Sequence, residues 1–201
     1  MTAGRGQRGR AAELAKSRPD EALEVASGID DPWYQAQALS CVARFAPPDI
    51  ASDAFGRSVR AAAAGKDSYC RAAVLAWPIR AAIERGEDER AAAMLATARR
   101  ELPEVELFCS RAEAASLLFQ AAFAGPRRLW GPLLAEITSL CPHDSHWRSA
   151  RLYLTISTIL AGWDGNSAMR FIDSMPPGKA QRRCRRAAAE GARARPRTFF
   201  L

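Results

Sequence analysis

Cys141, His143, Asp144 and His146 form the densest set of metal-ligating side chains in the sequence. A closed structural zinc site takes four such ligands from well-spaced pairs, and no second Cys/His pair stands elsewhere to complete the tetrahedron. Pro142 and Asp144 read better as the end of one helix and the cap of the next, so no metal is expected. A Cys-His nucleophile pair needs an oriented base and an oxyanion site, neither of which a sequence displays, and no such pair is expected. Asp30-Asp31, Glu84 to Glu89 and Glu101 to Glu106 fall at predicted helix starts, ends and connections, where carboxylates cap and solvate. Asp164-Gly165-Asn166 lacks the lysine and the length of a phosphate loop. No catalytic residue and no cofactor site emerge, and the chain is expected not to be an enzyme.

Arginine carries the other candidate chemistry. Gln35-Ala36, Arg71-Ala72, Arg111-Ala112, Arg148-Ser149 and Arg186-Ala187 recur at steps of 36, 40, 37 and 38 residues. Each opens a predicted helix, and a cation in a helix's first turn meets the positive end of the dipole at a cost of about 0.3–1 kcal/mol. A local partner must offset that. Two readings follow for Arg71, Arg111, Arg148 and Arg186. They are either contacts between neighbouring units or a basic ladder that grips acidic side chains through guanidinium forks. Aromatic residues accompany the column, among them Trp33, Tyr69, Phe108 and Trp147, either as packing or as ligand contacts. The candidate partner-binding residues are therefore Arg71, Arg111, Arg148, Arg186, Trp33, Tyr69 and Trp147.

The elements that must position these residues are helices. Apolar residues recur at three- and four-residue spacing, as in Ala54, Phe55, Val59, Ala62 and Ala63, and no Val/Ile/Thr-rich alternation suggests a strand. Helices are predicted at 20–28, 32–46, 49–64, 68–85, 87–101, 106–123, 127–140, 145–161, 165–174 and 179–191, with a short one near 8–16. Asp31-Pro32, Asp67-Ser68 and Asp144-Ser145 place a cap acceptor before three of them. Pro78 falls inside the 68–85 helix and should kink it after removing one backbone bond, which either opens a groove or bends the array. Connections this short make neighbouring helices hairpins. A second register supports the period: Ala54-Phe55, Met94-Leu95, Leu133-Leu134 and Ala168-Met169 follow at steps of 40, 39 and 35.

The formal charge of +7 is unevenly distributed. Arg5, Arg8 and Arg10 contribute +3, and residues 179–201 contribute +7, so residues 11–178 carry −3. The basic pI describes the ends and not the body. Residues 1–10 are expected as a basic disordered tail, 11–191 as one helical-repeat domain, and 192–201 as an Arg/Phe-containing tail, either disordered or a docking segment. Five cysteines with no CxxC pair suit core positions in a reducing compartment. No apolar run is long enough for a membrane span or a leader segment, and a cytoplasmic location is expected.

A period of 36–40 residues belongs to helical-hairpin arrays. The chain resembles the tetratricopeptide-like superfamily, particularly bacterial arrays in which an Asp-Pro-like cap precedes Arg-Ala and a Leu three residues beyond that Ala, as in Asp31 to Leu39. The likeness spans residues 19–190. The unit is longer than the standard of about 34 residues and lacks that family's Trp, Leu-Gly and Tyr pattern. HEAT-like repeats, which also favour Asp-Pro before Arg, are similar. The resemblance implies an all-α solenoid of about four to five antiparallel hairpins and a non-catalytic scaffold that binds a protein or acidic peptide. The alternative is a nucleic-acid-associated adaptor making weak, nonspecific, salt-sensitive contacts through its Arg-rich ends.

Overall fold

The computed structural model describes residues 3–141 and 146–200. The described residues fold into helices and an extended C-terminal segment, with no strand among them. The helices are α1 (Ala3–Leu14), α2 (Pro19–Ser27), α3 (Pro32–Phe45), α4 (Pro48–Ala63), α5 (Ser68–Ala73), α6 (Ala76–Glu84), α7 (Asp88–Glu101), α8 (Phe108–Ala122), α9 (Arg127–Leu140), α10 (Trp147–Trp163), α11 (Gly165–Asp173) and α12 (Lys179–Ala189). A 3₁₀ turn, Leu102–Glu104, follows α7.

Local chemistry sets these boundaries. Proline at the first position opens α2, α3 and α4, where its missing N–H is no loss. The Asp31 carboxylate accepts from the amides of Trp33 and Tyr34, and that of Asp67 from the amide of Cys70 at 2.7 Å. Asp164, in the segment without phosphate-loop chemistry, caps α11 through the amides of Asn166 and Ser167. Asp144 and Ser145, the expected cap of α10, lie outside the described residues, and His146 Nδ1 accepts from the amide of Arg148.

Helices pack in two rows. In one, α1, α3, α6, α8, α10 and α12 each contact the next; each of α2, α4, α7, α9 and α11 packs on the row member before it. The recurring phrase supplies small buried residues to α3, α5, α8 and α10. Its second residue, Ala36, Ala72, Ala112 or Ser149, is at most 1% exposed, so a small side chain fills each of these buried positions. Ala187 in the last helix is only half-buried. Ser40 and Ser58 hydrogen-bond each other and the carbonyl of Ala36, tying α3 to α4 inside the core. Larger side chains such as Phe55, Phe119, Leu133 and Ile156 fill the space between the rows.

Three expectations change. The 68–85 helix is two helices, α5 and α6, separated at Val74-Leu75. Pro78 has no N–H to give, and its ring crowds the carbonyl of Val74, which instead accepts from Trp77 at 3.2 Å. Residues 3–10 are not a disordered tail but most of α1. Its Ala11 and Leu14 are buried, as is Ala15 just after it, Arg8 donates to Gln37 Oε1 at 2.7 Å, and a β-carbon at Gly4 would lie 3.1 Å from Tyr34 Cδ2. Nor is the C-terminal segment disordered: residues 192–200 run extended along the first row.

Candidate functional site

The α5/α6 break begins the site. It opens α6 at Ala76 and leaves Trp77, 5% exposed, near the start of that helix with its indole facing the C-terminal segment. The other side of the site is built by Gly191. Its φ of +74° lies in the left-handed region, which ends α12 and turns the chain back along the row.

From there the segment crosses four helices in succession. The amide of Ala194 donates to the carbonyl of Thr158 in α10 at 3.2 Å. The amide of Arg197 donates to Gln120 Oε1 in α8 at 3.1 Å. Trp77 Nε1 in α6 donates to the carbonyl of Phe199 at 2.9 Å. At α3, the Arg44 guanidinium lies 4.8 Å from the Phe200 ring. Arg44 is held there by Glu84, which also binds Arg80.

From Ala192 to Arg197 side chains alternate as an extended backbone requires, and the alternation ends at Thr198, which is exposed like Arg197. Ala192, Ala194 and Pro196 are half-buried against the helices, while Arg193, Arg195 and Arg197 are exposed. The segment passes Gly162 of α10 at ordinary van der Waals distance, with Ala194 O 3.8 Å from where a β-carbon would be. Phe199 and Phe200 are then buried at 9% and 7% exposure. Phe199 meets Trp77 edge-on at 5.4 Å, Trp77 meets Trp33 at 5.7 Å, and Trp33 stacks on Tyr69 at 6.3 Å. Arg197 covers both Trp77 and Phe199 at 5.4 Å. Burial is the main reason the Tyr69 phenol is pushed up to about 12, with the Glu113 carboxylate adding to it.

The seven residues singled out from sequence are not one site. Trp33 and Tyr69 share a cleft of about 420 Å³ with Asp31, Tyr34, Lys66 and Cys70, and they join the chain of aromatic rings that ends on the C-terminal segment. Arg71 binds Glu101 at 2.8 Å and Ser68 at 3.1 Å. Arg111 donates to the carbonyls of Pro103 and Val105 at 2.6 and 2.8 Å. Arg148 binds Glu113 at 2.6 Å. Arg186 departs from the expected column: it is exposed in the last turn of α12, where the dipole favours a cation. Trp147 is 63% exposed beside His146. His143 lies outside the described residues, whereas Cys141 is buried with its thiol donating to the carbonyl of Ile137.

Sequence reading missed Gln120, Thr158, Arg44 and the buried Phe199-Phe200 pair as one constellation. The signal was present in Ala-Arg-Ala-Arg-Pro-Arg, an alternation with the period of an extended segment. No protein-family model, curated protein or solved structure matches the chain. No helix among the described residues is long and apolar enough to cross a membrane.

Proposed function

We propose that this chain is a non-catalytic scaffold of the tetratricopeptide-like or HEAT-like kind, an α-solenoid of helical hairpins whose first row binds extended peptide. One observation carries the reading: residues 192–200 already lie extended across α10, α8, α6 and α3. Polar groups of the helices grip their main chain, and an aromatic pocket holds their end. Main-chain hydrogen bonds give such a groove affinity for any extended segment, and pockets for individual side chains give it selectivity. The edge arginines have a different part here. Arg111 braces the connection before α8, and Arg71 and Arg148 pair with Glu101 and Glu113 on neighbouring helices, so acidic peptide is not the ligand best matched to this groove.

The test is selection from a random-peptide display library on the full chain, followed by binding of the enriched peptides to Gln120→Leu protein. Enriched peptides that bind the parent and lose affinity on this substitution, with helicity unchanged, support the reading. Failure to enrich any peptide on both the full chain and its Phe199→Ala/Phe200→Ala variant, whose anchor pocket its own C-terminal segment no longer fills, overturns it. A second reading, a nucleic-acid-associated adaptor, is favoured by the basic residues standing exposed near one end: Arg182, Arg183 and Arg186 of α12 with Arg193 and Arg195 beyond it. Affinity for single-stranded RNA that falls steeply with salt would support that reading, through counterion release.

A further inference from the structure

We propose that residues 192–200 are a displaceable internal ligand, and that the external ligand is an extended peptide of the same chemistry: small residues at alternate positions, then an arginine two residues before the first of two consecutive aromatics. This rests on the peptide-scaffold reading and names both its ligand and its regulation.

The features of the site separate a strap from a structural core element. The segment follows the last helix, so its release leaves the order and connections of α1–α12 intact. Among the described residues, three hydrogen bonds tie residues 194–199 to other helices, at Thr158, Gln120 and Trp77. Two are to a main-chain amide and one to a main-chain carbonyl, so any extended peptide can reproduce them. Side-chain anchoring is concentrated in Phe199 and Phe200, with Arg197 lying over the Phe199 ring, while Arg193 and Arg195 are exposed. Gly191 supplies a left-handed turn between helix and strap, a position where a chain can swing with little steric cost.

The groove reads chemistry as well as shape. Trp77 presents its indole to the Phe199 ring, and Arg44, fixed between Glu84 and the Phe45 ring, presents a cation face to Phe200. Two adjacent aromatics are therefore received by different partners. Two residues before the first, Arg197 lies over both Trp77 and Phe199, so a guanidinium at that position of the ligand completes the stack. Because the strap is tethered, it competes at an effective concentration on the order of millimolar, and a free peptide meets a groove that is closed most of the time.

The experiment uses full-length protein and a fluorescein-labelled peptide with the sequence of residues 192–201, followed by fluorescence polarisation. Phe199→Ala/Phe200→Ala protein should bind the peptide at least about tenfold more tightly than the parent, because its own strap no longer fills the anchor pocket. Adding Gln120→Leu to that variant should weaken binding again, and a peptide with both Phe residues replaced by Ala should bind neither protein. Equal binding to parent and variant would refute the strap and leave the peptide-scaffold reading standing. Binding to neither would refute the basic-aromatic ligand, and the display selection would then decide the scaffold reading independently. Hydrogen exchange on the parent guards against a variant that fails to fold. The amides of Ala194 and Arg197 should exchange faster than the core amides of α6 and α8, and faster still with excess unlabelled peptide. If they exchange only at the rate of global unfolding, the segment is a permanent part of the core and the proposal falls.

Discussion

Arginine does opposite things at the edge of the helix rows and along the C-terminal segment. Arg111 spends its donors on the carbonyls of Pro103 and Val105, and Arg71 and Arg148 spend theirs on Glu101 and Glu113. On the extended segment, Arg193 and Arg195 are exposed, and the hold comes from main-chain groups and two phenylalanines. The difference lies in backbone context. A helix end offers unsatisfied carbonyls and nearby carboxylates within reach of a long donor, whereas an extended chain alternates its side chains and turns every second one to water. Density of positive charge is thus a poor guide to which groups hold a segment in place.

The comparison is most severely tested where the two regions meet. Trp77→Ala removes a buried ring shared by Trp33 and Phe199 and should lower stability by about 3–5 kcal/mol in urea unfolding. A loss below 1 kcal/mol would mean that the aromatic chain is not structural. Next in size, Arg111→Ala leaves two loop carbonyls without their donor and should cost about 1–3 kcal/mol by the same measurement. Arg193→Ala/Arg195→Ala should change stability by less than about 0.5 kcal/mol. If the terminal pair cost more than Arg111, the contrast between braced and outward arginines would be wrong.

Asp67→Ala, which uncaps α5 beside the aromatic cleft, should cost about 1 kcal/mol. The Cys70 amide holds the Asp67 carboxyl below its ordinary value. Its contribution is therefore complete above the ordinary carboxylate range and is lost as pH falls through the lowered folded-state value. Asp67→Asn should keep much of the cap and flatten that acid limb of a thermal-melt series. Of similar size or smaller, Arg71→Ala and Arg148→Ala break part-exposed ion pairs and should cost at most about 1 kcal/mol each, less in high salt. A larger, salt-independent loss would place them with Arg111 as bracing groups.

Much of the helical layout was legible because its signals are local. Asp31-Pro32 and Asp67 specify their caps within three residues, and a small residue after Gln35, Arg71, Arg111 and Arg148 marks the buried face. Pro78 was readable as a disruption because the bond it removes lies four residues away. Residues 3–10 misled because their arginines dominate the composition, although α1 is held by Ala11, Leu14 and Ala15 together with the Arg8–Gln37 bond.

The groove was not legible, and the reason is distance along the chain. Trp77 and Phe199 are 122 residues apart, and Gln120 and Arg197 are 77 apart. Nothing in either local sequence says that a carbonyl from one will meet an indole from the other. By itself the sequence determined the helices, their caps, the small residues at their contacts and the alternation of the last segment, since each follows from interactions within a turn or two. Only the tertiary structure decided that the alternating segment lies against α10, α8, α6 and α3, because that depends on stacking the helices first and creating a surface with unspent hydrogen-bonding groups and an open aromatic pocket.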